Sequence, residues 1–209
     1  MILIWGLRLG IYLFIRINKI KKDDRFDEIR TNPIRFLSFW VLQGITVFVA
    51  LYPALYFFQL MAGIPSPAVP GGILIIGDRF TIPTLSLFGF FVWLIGISIE
   101  AIADQQKFAF KNNSINKGKW VNIGLWKYSR HPNYLGEILC WVGIYIYTFP
   151  SLPYIVRILG LLSPLSIITL LLFVSGIPKL EEKADKKWGS NKDYQEYKKK
   201  TAVLIPYIY

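Results

Sequence analysis

Five long apolar segments, separated by loops rich in charge, proline and glycine, dominate the sequence. They cover residues 1–17, 36–61, 84–103, 134–149 and 154–177. A helix of about 20 residues crosses a hydrocarbon core of about 30 Å and keeps its backbone hydrogen bonds internal. Each segment can form such a helix, although the first and fourth are at the short limit. We therefore expect an all-α polytopic transmembrane helical bundle of about five spans, followed by a cytoplasmic C-terminal helix.

Composition agrees with a membrane protein. Of the 209 residues, 54% are hydrophobic and the mean hydropathy is +0.41, whereas soluble chains hold about 45–50% apolar residues. Disorder is excluded by the same composition. The single cysteine, Cys140, permits no internal disulfide, and the single histidine, His131, permits no His-rich metal centre, so no metal is expected.

The distribution of positive charge predicts the orientation in the membrane. Most of the 24 lysines and arginines lie in residues 18–35 and 104–133 and after residue 178. Only Arg79 and Arg157 lie in the two regions between these basic ones. Positive loops stay in the cytoplasm, so we expect a multi-pass protein of a bacterial inner membrane or the ER, with basic loops and C-terminus cytoplasmic. Because the charge alternates with apolar runs, nucleic acid is not an expected partner.

Smaller features refine this topology. The Pro- and Gly-rich residues 62–72 end the second span, and the short apolar run 73–76 is expected to be interfacial or re-entrant. Pro164 predicts a kink in the last span. No signal peptide is predicted, because the chain enters apolar sequence without a basic start. Residues 179–209 are charged first and apolar last, which predicts a cytoplasmic helix whose end packs back against the protein or the membrane.

Two acids interrupt the apolar spans. Glu100 lies near the end of the third segment and Glu137 near the start of the fourth. A carboxylate at the membrane centre costs about 2.5 kcal/mol or more, so it normally faces a cavity or a partner. The alternative is that both lie near enough to the interface to be hydrated or paired with a lysine.

Residues 128–137 form a dense polar cluster before the fourth span. With Pro132 at the first helical position, Asn133 and Glu137 lie one turn apart on the same helix face. Free amide groups at this helix start, beside Arg130, suit an anionic or strongly dipolar ligand. Ordinary anchoring at the membrane interface is the alternative.

A stripe of charge extends the third span. Glu100, Asp104, Lys107 and Lys111 recur at three- or four-residue steps, which puts acids deep and lysines shallow on one helix face. The stripe suits a ligand with a polar head inside and phosphates outside, but a solvated, salt-bridged face gives the same pattern. No Gly-rich dinucleotide motif, Walker A motif, G-x-S-x-G or H-E-x-x-H occurs, so any cofactor binds by a different architecture.

The residues 129–137 and the ending 204–209 resemble the membrane reductase group that contains steroid 5-alpha-reductases and sterol C14 reductases. Residues 176–197 are most similar to a bacterial branch of that group. The Arg-His-Pro-x-Tyr element also occurs in isoprenylcysteine carboxyl methyltransferases, which bind S-adenosylmethionine with related helices. Residues 106–111, similar to a sterol reductase segment that binds NADPH phosphates, favour the reductase.

The resemblance implies a set of site residues. Lys107 and Lys111 would hold NADPH phosphates, while Glu137 would lie near the nicotinamide or the substrate carbonyl and act with Tyr134 as catalytic residue. Lysine replaces arginine at Lys111 and Lys119, which retains the charge but loses a bidentate fork. The other implied cofactor contacts are Asp104, Lys119, Trp126, His131, Asn133, Tyr134, Glu181, Lys187, Trp188 and Tyr197.

The resemblance also implies a function. It predicts NADPH-dependent reduction of a carbonyl-conjugated C=C bond in a steroid-like or other lipophilic substrate, within one membrane domain of residues 1–209. Residues 1–99 would form the substrate and lipid side, and residues 100–209 the cofactor side. Residues 5–10 resemble a helix that further spans precede in the bacterial branch, so the chain is expected to begin late. The alternatives are an S-adenosylmethionine-dependent methyltransferase of a lipid-linked acceptor and a non-catalytic lipid-binding or scaffold protein.

Overall fold

The computed structural model describes residues 1–20, 31–64 and 82–208. The apolar run 73–76 and most of the first basic loop lie outside these residues. The described part is helical and contains no β-strand, which confirms the all-α fold class. The longer elements are α1 (Ile2–Ile20), α2 (Pro33–Met61), α3 (Thr84–Asn112), α4 (Pro132–Thr148), α5 (Tyr154–Gly160), α6 (Leu162–Thr169), α7 (Ile177–Trp188) and α8 (Lys192–Lys200).

Three helical stretches are long and apolar enough to cross a membrane. They are α2, α3 and the consecutive helices from Tyr154 to Trp188. Helix α1 has 19 residues but carries Arg8, Arg16 and Lys19, and α4 has only 17 residues. The membrane character of the chain is thus supported by three helices, whereas five spans and the sidedness of the loops stay predictions.

Prolines shape the last apolar segment and the helix beside it. The predicted kink is present, since α5 ends at Gly160 and α6 begins at Leu162, just before Pro164. Pro164 has no N–H to bond the fourth carbonyl before it, so the helix cannot run through unbroken. Pro53 lies inside α2, and near it the Ser163 hydroxyl donates to the Ala50 carbonyl at 2.7 Å. This bond joins α6 to α2 one turn before Pro53.

Helices α3 and α4 form the most extensive helix contact of the structure. Gly89 and Gly96 of α3 face Gly143 and Gly136 of α4, two turns apart on each helix. A Cβ atom at Gly96 would lie 2.6 Å from the Cys140 backbone nitrogen, and the other three glycines are equally close to the opposite backbone. Small residues at such contacts let two membrane helices approach to backbone distance. The α3–α4 pair is therefore the packing core of the bundle.

The C-terminal segment differs in part from the expectation. Two helices, α7 and α8, replace the single predicted helix, because the turn at Gly189 and the Asn191 cap of α8 interrupt it. After α8 the chain returns to the loop before α4, where Ala202 forms a parallel bridge with Ser129. The predicted packing of the chain end against the protein is confirmed.

Substitution of Gly89 by alanine tests the α3–α4 contact. The added methyl group would lie 2.4 Å from the Tyr147 backbone nitrogen, so the helices must separate, at a cost of about 1–3 kcal/mol. We expect a lower melting temperature, measured in detergent by the reaction of buried Cys140 with a thiol-specific fluorophore. Gly44→Ala is the matched control, because nothing lies within 4 Å of its Cβ position and alanine favours the helix. Equal melting temperatures for both variants would contradict the close contact.

Candidate functional site

An ion-pair cluster joins α1 to α3 inside the apolar bundle. The guanidinium of Arg8 donates to one carboxylate oxygen of Glu100 and, at 3.4 Å, to Asp104. Glu100 is only 4% exposed and Asp104 is also buried. A carboxylate in such surroundings needs a cationic partner. Glu100 therefore has a partner inside the bundle, and that partner is an arginine of the first helix rather than a lysine.

The start of α4 lies against this cluster. The Cβ position of Gly136 is 2.8 Å from the Glu100 Cβ, so the two helices cross where Glu100 stands. The neighbouring Glu137 carries its carboxyl close enough to interact electrostatically with Glu100 and Arg8. One oxygen of Glu100 and the Nε of Arg8 are buried without a hydrogen-bond partner among residues 1–20, 31–64 and 82–208. The crossing thus contains buried polar atoms that no described residue hydrogen-bonds.

Lys107 and Trp126 form the next layer toward the end of α3. The Trp126 indole is buried and donates to the Ala103 carbonyl at 3.0 Å, so it packs on α3 rather than standing at the membrane interface. The Lys107 ammonium lies 4.8 Å from the centre of the Trp126 ring. Tyr197 of α8 donates its hydroxyl hydrogen to the Trp126 carbonyl at 2.8 Å. Helix α3, the loop before α4 and the C-terminal helix α8 therefore meet at Trp126.

Glu181 of α7 links the C-terminal tail, which consists of α7 and α8, to the polar cluster before α4. Its carboxylate accepts hydrogen bonds from Arg130 and from the His131 Nε2, the latter at 2.8 Å, and Lys198 lies 3.6 Å away. Burial lowers the pKa of His131, and the hydrogen bond to Glu181 opposes this only in part. His131 is therefore neutral at pH 7 and stacks on Tyr134 with ring centroids 5.8 Å apart.

Aromatic residues close the tail over the loop that follows α3. The Trp188 indole donates to the Gly118 carbonyl at 2.5 Å, and Trp120 contacts the rings of Trp188, Tyr194 and Tyr197. Burial raises the pKa of Tyr194 to about 12, so its hydroxyl stays protonated. These contacts hold α7 and α8 against the residues between α3 and α4.

The structure brings most of the predicted site residues into one region. Asp104 and Glu137 lie around the α3–α4 crossing, Asn133 stands one turn before Glu137 on α4, and the His131, Tyr134 and Glu181 side chains meet at the start of α4. Trp126, Lys107 and Tyr197 form the adjacent layer, and the Lys187 ammonium lies 4.7 Å from the Trp188 ring centre. Lys111 and Lys119 are exposed, and Lys119 forms no ion pair in the part of the chain that the structure describes.

Arg8 is the main residue that the sequence analysis missed. It was visible as a charged residue within an apolar segment, and such a residue normally has a partner inside the bundle. The sequence contains no information on which helix supplies that partner, because Arg8 and Glu100 are 92 positions apart. The four facing glycines were also missed, although their seven-residue spacing on both helices was readable.

Comparison with known proteins shows the family. The chain belongs to the family described as protein of unknown function (DUF1295), which matches residues 1–201 and falls in the steroid 5-alpha-reductase-like group. A stretch of 58 residues is 36% identical to the probable O-methyltransferase ustE of Ustilaginoidea virens. That match covers 28% of this chain and 20% of the relative's length. No solved structure matches the chain.

Replacement of Arg8 by methionine tests the ion-pair cluster. The change leaves two buried carboxylates without their cation, and breaking such a pair costs about 3–5 kcal/mol. We expect a marked loss of thermal stability by the Cys140 reactivity assay, with partial recovery in Arg8→Lys, which restores charge without the fork. Arg35→Met removes an exposed arginine and serves as the control. A melting temperature of Arg8→Met equal to that control would refute the pairing.

Proposed function

We propose that this protein is an NADPH-dependent membrane reductase of a carbonyl-conjugated C=C bond in a steroid-like or other lipophilic substrate. The observation that carries the proposal is a row of charged side chains along α3, called the polar seam below. At one end Arg8 of α1 pairs with Glu100 and Asp104, beside Glu137 of α4. At the other end lie Lys107 and Lys111. Family membership supports the same reading, because the group is steroid 5-alpha-reductase-like. The seam lies among helices that expose apolar side chains outward, as a site for a lipophilic substrate requires.

The residues of the seam fit a dinucleotide phosphate. Lys107 and Lys111 form no ion pair within the described ranges, so their charge is open to an anion. Trp126 lies beside Lys107. The Tyr134 and Leu135 amides, which were expected to be free, donate to the His131 carbonyl, so Asn133 contributes by its place at the positive end of the α4 dipole. The unpartnered oxygen of Glu100 accepts hydrogen bonds from a polar group such as a carboxamide. In this assignment the lysines hold phosphates and the acids face the opposite end of the cofactor.

The chemistry needs a donor beside the substrate carbonyl. NADPH, when bound, supplies a hydride to the β-carbon of the substrate. A protonated Glu137 donates a hydrogen bond to the carbonyl oxygen and transfers its proton there as negative charge develops, which gives an enol that tautomerises to the saturated carbonyl compound. Water then reprotonates Glu137. Tyr134 lies one turn before it on α4 and offers a hydroxyl on the same side. The alternative role of Glu137 is to anchor the carboxamide of the cofactor.

We also assign five spans to the chain, with the basic loops and the C-terminus in the cytoplasm. Arg8 is the main obstacle to insertion of α1, and its pairing with Glu100 and Asp104 offsets that charge inside the bundle. Helix α4 packs on α3 from the level of Glu100 back to Ser86, and α3 is itself long enough to span. Charge sorting of the loops supports the orientation.

Methyl transfer from S-adenosylmethionine to a lipid-linked acceptor is the second candidate function. The 58-residue similarity to a probable O-methyltransferase favours it, as does the Arg130-His131-Pro132 element shared with the isoprenylcysteine enzymes. The cationic end of the seam distinguishes the two candidates, because S-adenosylmethionine carries no phosphate and has no use for Lys107 and Lys111.

Ligand binding decides between the candidates. We expect calorimetry of the protein in phosphatidylcholine nanodiscs to show NADPH binding at least about tenfold tighter than NADH, since the 2′-phosphate adds charge-assisted hydrogen bonds. Lys107→Gln with Lys111→Gln should remove that preference, whereas exposed Lys179→Gln should retain it. Binding of S-adenosylmethionine without NADPH would establish the methyltransferase instead. If the protein binds neither NADPH nor S-adenosylmethionine, a scaffold or lipid-binding protein is favoured.

Substitution of Glu137 tests its proton-donor role. Glu137→Gln keeps the size and a hydrogen-bond donor but cannot transfer a proton, so we expect kcat for an enone substrate to fall about 100-fold or more. The dissociation constant for NADPH should stay within about threefold of the original, as in the surface control Glu182→Gln. Weakened cofactor binding with unchanged kcat would assign Glu137 to the carboxamide, and full turnover would exclude a catalytic role.

A further inference from the structure

Three side chains of α1 reach α3, at two levels of that helix. Arg8 contacts Glu100 and Asp104, as described above. One turn later the Tyr12 ring contacts the Phe108 ring at 6.3 Å, and Lys19 lies 5.3 Å from the same ring. Side chains four residues apart share a helix face, so the register places Arg16, one turn after Tyr12, beside the last turns of α3.

Arg16 lies between Tyr12 and Lys19, which both contact Phe108, and Phe108 itself lies between Lys107 and Lys111 on α3. The charge of Arg16 interacts with those of Lys107 and Lys111, and Lys187 of α7 also interacts with Lys111. The acid in range is Asp104, which Arg8 already holds. Arg16, Lys111 and Lys187 form no ion pair among residues 1–20, 31–64 and 82–208. Three elements distant in sequence thus bring like charges together without an internal counterion.

We infer that Arg16, with Lys111 and Lys187, forms a phosphate-binding site in which Arg16 supplies the fork that the lysines lack. Like charges repel in the unliganded protein, so such a cluster costs stability until an anion neutralises it. A guanidinium binds phosphate through two parallel hydrogen bonds, whereas an ammonium acts as a point charge. The phosphate comes either from the cofactor, in which form the inference rests on the proposed function, or from an anionic lipid headgroup.

The variants Arg16→Gln, Arg16→Lys and Lys19→Gln test this site. Lys19→Gln is the matched control, because it removes the same charge from the same helix one turn later. NADPH affinity is measured by calorimetry in phosphatidylcholine nanodiscs. The melting temperature is compared in the same nanodiscs with and without phosphatidylglycerol. Both arms use the full chain.

For a cofactor phosphate we expect Arg16→Gln to weaken NADPH binding about 10- to 100-fold, the loss of one charge-assisted contact. Arg16→Lys should retain part of the affinity and Lys19→Gln all of it. For a lipid headgroup, Arg16→Gln should instead abolish the melting-temperature rise caused by phosphatidylglycerol. In either case the unliganded Arg16→Gln protein should melt at the same or a higher temperature, which a merely structural arginine would not show.

The outcomes separate this inference from the proposed function. If the unmodified protein binds no NADPH, the reductase proposal fails, while a phosphatidylglycerol effect that depends on Arg16 still supports the phosphate site. If NADPH binds and Arg16→Gln changes neither arm relative to Lys19→Gln, the phosphate site is wrong and the reductase proposal stands. A lower melting temperature of unliganded Arg16→Gln with both arms unchanged would likewise overturn the site and make Arg16 structural.

Discussion

The backbone contact between α3 and α4 determines where the chemistry of this protein can lie. Because Gly96 and Gly136 have no side chains, the helices meet at the level of Glu100 and bring a second carboxyl, Glu137, beside it. Larger residues at these positions would separate the helices and move the polar groups apart. A charged Glu100 in an apolar bundle needs a cation, and Arg8 of α1 is that cation for Glu100 and for Asp104 one turn away. The glycine contact therefore requires α1 to dock where it does.

A second fastening holds the tail in place. Glu181 reaches Arg130 and His131 just before α4, while Tyr197 reaches the Trp126 carbonyl. Each bond joins a residue of α7 or α8 to the loop that leads into α4, so the tail covers the shallow end of the seam and not the deep one. The acids at the deep end are enclosed by helices alone. In the proposed topology, water would reach the site at its lysine end and lipid at its acidic end.

The sequence predicted the helices better than their partners. Apolar length and proline positions located the segments, and Pro132 begins α4 as expected, because these are local constraints of backbone hydrogen bonding. The charge stripe on α3 was also readable, since helical period is local. The partner of Glu100 was not, because the register between α1 and α3 depends on packing between distant segments. The same holds for Glu181, whose position follows from a turn at Gly189 and a return of the chain to Ser129 that no local pattern specifies.

The contacts of α1 with α3 give the seam a polarity. At the deep end, water is excluded and the effective dielectric is low, so a hydrogen bond from Glu137 or to Glu100 is strong and a stray charge is costly. At the shallow end, Arg16 and Lys111 are partly exposed to solvent. Their positive charges therefore lower the stability of the protein only moderately when no counterion is bound. A ligand with phosphates at one end and an uncharged polar ring at the other matches this gradient in one orientation only. Reversing it would bury phosphate beside carboxylates and leave the lysines unpaired.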